Sequence, residues 1–280
     1  MAMDHEESRL LKESIRSEIC SFVKEYGAQP SISTKCGTPL VGFADAAHPY
    51  ILALKETIGP AHSLPEDVLE DASTVIAYYV PFTEKLAEAN ASAGRLAARE
   101  WALAYEETNA MFGYLNDHLI TFLKNKGYRA AVSKETSTFD RGSLLSNWSH
   151  RHFAYAAGLG TFGLNNMLIT PAGCCGRYFT LVTNLDLEPD PPKTEEICLY
   201  KKNGSCRICM KSCPVGALSS TGYDRHKCFS LLKENGAVNK ELGSSYAGSE
   251  GSEVCGKCIT SSPCAFIGNR SEFNKRRKNG

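Results

Sequence analysis

No stretch of this 280-residue chain approaches the roughly 20 consecutive apolar residues that a membrane-spanning helix needs. Its opening, MAMDHEESRLLKES, has no apolar core and no twin-arginine pair, which argues against an export signal. Net charge is missing too, since 31 Lys and Arg balance 31 Asp and Glu. Apart from two cysteine clusters there is no internal repeat, and there is no low-complexity tract. These absences argue against membrane and exported classes and leave a cytoplasmic globular chain as the expectation. Zero net charge nevertheless hides an asymmetry. Residues 1–194 hold 17 Lys and Arg against 23 Asp and Glu, a net −6, whereas 195–280 hold 14 against 8, a net +6. A basic terminal part, ending in NKRRKNG, can face an acidic protein or nucleic acid, although most such charges are ordinary solvated surface.

What the chain has in quantity is cysteine, twelve in all. In a cytoplasmic protein metal or redox chemistry explains that number better than disulfides do. Eight of the twelve lie late in the chain: Cys198, Cys206, Cys209, Cys213, Cys228, Cys255, Cys258 and Cys264.

The segments before them alternate in character. LLKESIRSEICSFVKEY (10–26) spaces Leu11, Ile15, Ile19, Phe22 and Val23 as an amphipathic helix does. TVIAYYVPF (74–82) reads as a buried strand stopped by Pro81. Residues 91–126 are helical in pattern, with Trp101, Tyr105, Phe112, Leu115, Leu119 and Phe122 as core contacts. YRAAVS (128–133) and RYFTLVTNLDL (177–187) suggest two further strands. The mixture predicts an α+β domain over 1–190. LEPDPPKTEE (187–196) reads as a linker, followed by a cysteine-rich domain over 191–280.

Eight thiolates match two four-iron clusters with four ligands each. A Cys-x2-Cys turn sets two thiolates on one small loop, and Cys206, Cys209 and Cys213-Pro214 follow the grammar in which the third cysteine serves the other cluster. Cys255 and Cys258 repeat the turn, and Cys264 follows. The full bacterial run would place a cysteine at position 203, where Asn203 stands, so Cys198 is the nearest replacement. The resulting assignment gives Cys198, Cys206, Cys209 and Cys264 to one cluster and Cys213, Cys228, Cys255 and Cys258 to the other. Cys174 or Cys175 competes with Cys198 for its corner. A four-cysteine zinc ribbon built from CRIC and CGKC is the alternative, but it uses only half of the eight.

Gly158, Gly160 and Gly163 imitate a dinucleotide fingerprint, yet SHRHFAYAAG before them reads as a helix ending at glycine rather than as a strand. The spacing instead suggests close backbone approach to a bulky planar ligand. WSHRH (148–152) puts His150 and His152 in different directions on a helix, so they are no ready-made metal pair.

The Gly-Leu-Gly-x-x-Gly run with its Asn, the Leu-Ile-Thr run, the Leu-x-Pro-Asp-x-Pro exit and the double-cluster tail together resemble the epoxyqueuosine reductase family and, more distantly, corrinoid reductive dehalogenases. The resemblance is strong from about Asp140 to Cys264. It implies a nitroreductase-like cobalamin-binding core and a C-terminal ferredoxin-like module with two 4Fe-4S clusters. Carried over, it makes Gly158, Gly160, Gly163, Asn165, Leu168, Ile169 and Thr170 corrinoid contacts and Asp140 the catalytic proton donor. Asp140 has a plain alternative as a loop or helix cap.

The expected activity is a corrinoid-dependent reductase. A low-potential donor such as ferredoxin or flavodoxin would pass electrons through the two clusters to cobalamin and then to substrate. An electron-transfer protein, or a reductive activator of another corrinoid protein, is the alternative. Because the helical extension of tRNA-acting relatives is not present in this sequence and residues 1–194 are acidic, a small molecule or a corrinoid protein is weighed above tRNA as the partner.

Overall fold

The computed structural model describes residues 4–137, 139–245 and 248–267. The chain divides into two compact units that interleave along the sequence. The first comprises Met1–Val80, Thr108–Leu159 and Tyr178–Pro192; the second comprises Pro81–Glu107, Gly160–Arg177 and Lys193–Gly280. A division at residue 190 therefore does not describe these units, because 81–107 and 160–177 belong with the late cysteines.

The first unit is built on a mixed helix and sheet plan. Its helix His5–Ala28 starts at Asp4, whose carboxylate accepts the Glu7 N–H at 2.8 Å, and buries Ile15, Ile19 and Val23 on one face. The strands β1 (Leu40–Asp45), β2 (Thr74–Pro81), β3 (Ala130–Ala131) and β6 (Gly176–Thr183) form a sheet in the order β1–β2–β6–β3. β1 runs antiparallel to β2, with Phe43 opposite Ile76, and β3 antiparallel to β6. Every residue of β2 is buried, as its unbroken apolar run requires of a strand covered on both faces.

One core gathers Ile15, Ile19 and Val23 with Phe43, Ile76, Tyr78 and Val80 of the sheet and with Phe112, Leu115, Leu119 and Leu123 of the long helix Arg99–Asn125. The buried Tyr78 hydroxyl donates to Asn116 Oδ1 at 2.8 Å, so this polar group enters the core partnered. Trp148 is also buried, and its indole N–H donates to Thr180 Oγ1 at 2.9 Å. β1 carries a glycine for a reason: a Cβ on Gly42 would run into the carbonyl of Ala157, just after the helix His150–Ala156.

The second unit has little sheet. Helix Glu84–Ser92 is capped by Thr83, and the hairpin of β4 (Thr161–Phe162) and β5 (Leu168–Ile169) pairs Thr161 with Ile169. The short helices Leu199–Asn203, Ile208–Lys211 and Lys257–Thr260 carry or flank cysteines. Helix Arg225–Val238 is capped by Asp224, whose side chain accepts the Lys227 N–H at 3.0 Å, and it places Cys228 in its first turn. Among the described residues no helix is long and apolar enough to cross a membrane.

Candidate metal centre

All eight late cysteines lie in the second unit, on turns and helix ends rather than within long regular elements. Cys198 precedes the helix Leu199–Asn203, which Gly204 ends at φ 72°. Cys206 and Cys209 flank the start of the helix Ile208–Lys211, and Cys213 follows its end. The Cys213 sulfur accepts the Ala217 N–H at 3.2 Å. The second Cys-x2-Cys turn depends on Gly256. Its φ is 74°, and a Cβ there would collide with the Trp101 indole.

The cysteines converge as two quartets. Cys198, Cys206, Cys209 and Cys264 line one small cavity together with Asn165, Ser262 and neighbouring apolar residues. Burial pushes the Cys209 thiol up to about 12, and the charges of Cys264, Cys198 and Cys206 act in the same direction. The other four are also mutual neighbours. Burial first, and then Cys255, Cys228, Cys209 and Cys213, drive the Cys258 thiol well above its ordinary value. Burial likewise raises Cys255, to about 11, with Cys228 and Cys213 adding to it. Cys209 acting on Cys258 means that the two quartets adjoin. Burial thus favours the neutral thiol at Cys209, Cys255 and Cys258, and a bound cation would reverse that preference, since a coordinated thiol is deprotonated outright.

Cys198, and not Cys174, is among the residues that line the first cavity. Cys174 is fully buried behind Cys264, with 3.8 Å between the two sulfurs, and its N–H donates to the Cys264 carbonyl at 2.9 Å. Cys175 is equally buried, and its N–H reaches the Ala265 carbonyl at 3.3 Å. Burial keeps its thiol protonated. Ser262 Oγ lies 3.2 Å from Cys264 Sγ. Cys20 and Cys36, in the first unit, line a separate surface pocket.

The glycine segment is accounted for by the chain's own packing. Gly158 ends the helix His150–Ala156 at φ 71°, and a Cβ there would strike the Pro191 carbonyl, within the first unit. In the second unit a Cβ on Gly160 would strike the Ile169 carbonyl, and one on Gly163 would lie 2.7 Å from Asn165 Oδ1. Leu168, Ile169 and Thr170 are fully buried in the hairpin and its exit. Asn165 is buried too, and its amide donates to the Cys258 carbonyl at 3.4 Å and towards Cys174 Sγ at 3.8 Å. The close approach expected at these glycines is thus made by protein backbone, and within either unit the seven residues form no open cradle for a planar ligand.

Asp140 is exposed in a turn of the first unit. One carboxylate oxygen accepts the Ser143 hydroxyl at 2.7 Å and the other the Gly142 N–H at 2.8 Å. The Ser143 bond, followed by the Gly142 bond, holds its carboxyl below the usual range. The two histidines point apart: His150 Nδ1 lies 2.9 Å from Thr180 Oγ1, and His152 Nδ1 lies 2.6 Å from Ser149 Oγ.

Sequence reasoning missed Asn90 and Lys257. Asn90 is fully buried in the helix Glu84–Ser92; its side chain accepts the Ala98 N–H at 2.9 Å and donates to the Cys255 carbonyl at 2.9 Å. Lys257 is 4% exposed, and its ammonium donates to the Asn90 carbonyl. The lysine between two cysteines of CGKC was a visible signal; nothing local to Asn90 pointed to this role.

No protein-family model matches the chain. An epoxyqueuosine reductase of Bacillus subtilis is 30% identical over 179 residues, which is 61% of this chain and 42% of that protein. The chain thus spans about two-fifths of that relative's length. Among solved structures, selenomethionine-labelled epoxyqueuosine reductase superposes with a TM-score of 0.54 at 22% identity, covering 94% of this chain and 67% of that one. An epoxyqueuosine reductase carrying an epoxyqueuosine-modified tRNA-Tyr stem loop superposes with the same score at 21% identity, over 94% of this chain and 67% of that one. The chain is thus similar to epoxyqueuosine reductases in sequence over 179 residues and in fold.

Proposed function

We propose that the chain is an epoxyqueuosine reductase-like oxidoreductase whose second unit holds two 4Fe-4S clusters. The observation that carries this reading is the sorting of eight cysteines into two adjoining quartets. The donor set fits the group: each quartet is all cysteine, four soft sulfur donors. A single zinc ion asks for ligands converging on one position. A four-cysteine zinc site would use only half of the eight late thiols. When bound, the clusters supply one-electron transfer from a low-potential donor such as ferredoxin or flavodoxin. The chain's own part is to hold eight thiolates, exclude water from them and bring the two sets next to each other.

The finer reading adds a cobalamin between clusters and substrate. It rests on family resemblance, and because the seven glycine-segment residues make no cradle within their units, no step is derived through a corrinoid. In the same reading Asp140 is the proton donor. Its bonds to Ser143 and Gly142 favour the carboxylate, so donation requires that turn to open and the carboxyl to be protonated. The nitroreductase-like core and ferredoxin-like module likewise belong to this finer reading.

For the substrate, the relative bound to a modified tRNA stem loop reverses the weighting drawn from sequence, and epoxyqueuosine-containing tRNA becomes the first choice over a small molecule or a corrinoid protein. The test is anaerobic reconstitution with iron and sulfide, then cobalamin titration and turnover of epoxyqueuosine tRNA with a chemical reductant. About eight irons per chain and conversion to queuosine are expected. One zinc and no iron would end the cluster reading. Full clusters without cobalamin binding or turnover would favour an electron-transfer protein.

A further inference from the structure

Lys257 stands between Cys255 and Cys258, yet it is almost wholly removed from solvent. A buried ammonium is costly unless an opposite charge lies near. Its hydrogen bond goes to a neutral acceptor, the Asn90 main-chain carbonyl. Among the described residues no carboxylate pairs with it.

The position is built rather than incidental. Asn90 is fully buried and ties the same turn twice, by its side-chain bond to the Cys255 carbonyl and by its own carbonyl to Lys257. Trp101 fills the space where a Cβ on Gly256 would stand, so the turn is backed on that side by the indole. The ammonium is therefore fixed on the turn that carries Cys255 and Cys258.

We propose that Lys257 is the charge partner of the cluster held by Cys213, Cys228, Cys255 and Cys258 and raises that cluster's reduction potential. The inference rests on the two-cluster reading above. Four thiolates around a cubane leave a net negative charge, and reduction adds another electron. A fixed cation in a dry wall stabilises the more negative state more strongly. Electrons entering the pair are thereby drawn towards this cluster. The plain alternative is that Lys257 only satisfies a carbonyl in the last turn of the helix Glu84–Ser92.

The two differ in a redox titration of the full-length reconstituted protein, with iron content measured and each cluster followed by electron paramagnetic resonance. K257Q and K257M should shift the reduction equilibrium of one cluster about tenfold or more towards the oxidised form, or about 59 mV for one electron. The other cluster should keep its potential, and K257R should stay near wild type. If K257M loses iron, K257Q against K257R decides, because both retain a donor for the Asn90 carbonyl. Neutral variants with full iron and wild-type potentials, or an equal shift in K257R, would overturn the charge role and leave the helix-end role. A wild-type protein that takes up no iron would instead sink the cluster reading, a result visible before any variant is made.

Discussion

Cys213 belongs by sequence to the first Cys-x2-Cys turn, but its charge acts on Cys255 and Cys258 of the second. Cys213→Ala should therefore remove about four irons and abolish the cluster of Cys255 and Cys258, leaving that of Cys206 and Cys209. Iron analysis with paramagnetic resonance would read this, and loss of the other cluster would break the pairing. Gly256→Ala tests the same turn sterically. Its Cβ meets the indole of Trp101 at a φ of 74°, so stability should fall by about 2 kcal/mol or more in urea titrations. That these cysteines gather was legible because Cys-x2-Cys and Cys-Pro spacing is local chemistry, and Cys198, the nearest thiol to the gap at Asn203, lies with them. The glycines left the neighbour open, because close backbone approach looks the same whether it is made by a ligand or by the Ile169 carbonyl. Asn90 was invisible, since its partner Cys255 lies 165 residues away.

At the scale of elements, the helix His150–Ala156 meets the sheet through Gly42 in β1 and Ala157 just after the helix. Gly42→Val should clash with the Ala157 carbonyl and cost about 3 kcal/mol, read as a lower urea midpoint. The same helix carries a pH response. Burial, then the charges of Arg151 and His62, lower His152 from 6.5 to about 4. A depressed histidine pKa leaves stability intact above 6.5 and withdraws it as pH falls towards 4. The loss attributable to His152 should be at most about 3 kcal/mol, and His152→Gln should flatten stability across that window. An unchanged slope would place the acid sensitivity elsewhere. β2 was legible because eight buried residues leave an unbroken apolar run, and the opening helix because its apolar spacing is regular. β1 was not, because Gly42 interrupts a six-residue strand with a residue that weakens strand propensity. The interleaving of the two units was also hidden, since it is set by long-range pairing and no linker marks the changes at residues 81, 108 and 160.

Over the whole molecule, charge is divided as the sequence divides it, −6 over 1–194 and +6 over 195–280. Part of the positive excess serves other ends: Lys202 pairs with Glu195, and Lys257 is committed to the cysteine turn. The basic cluster Lys275, Arg276, Arg277 and Lys278 lies outside the described residues, yet it holds four of the fourteen positive side chains in that stretch. If tRNA is the substrate, phosphate contacts from such residues should dominate affinity and release counterions on binding. Binding of an epoxyqueuosine tRNA stem loop to the full chain should then weaken about tenfold or more between roughly 50 and 200 mM salt. Replacing the four residues with glutamine should weaken binding at low salt and flatten the salt slope by about one for each phosphate no longer neutralised, without altering iron content. Anaerobic fluorescence anisotropy over a salt series would measure both. A slope unchanged in the neutralised protein would remove the tail from the interface, and salt-independent binding in wild type would count against a phosphate-led encounter with tRNA.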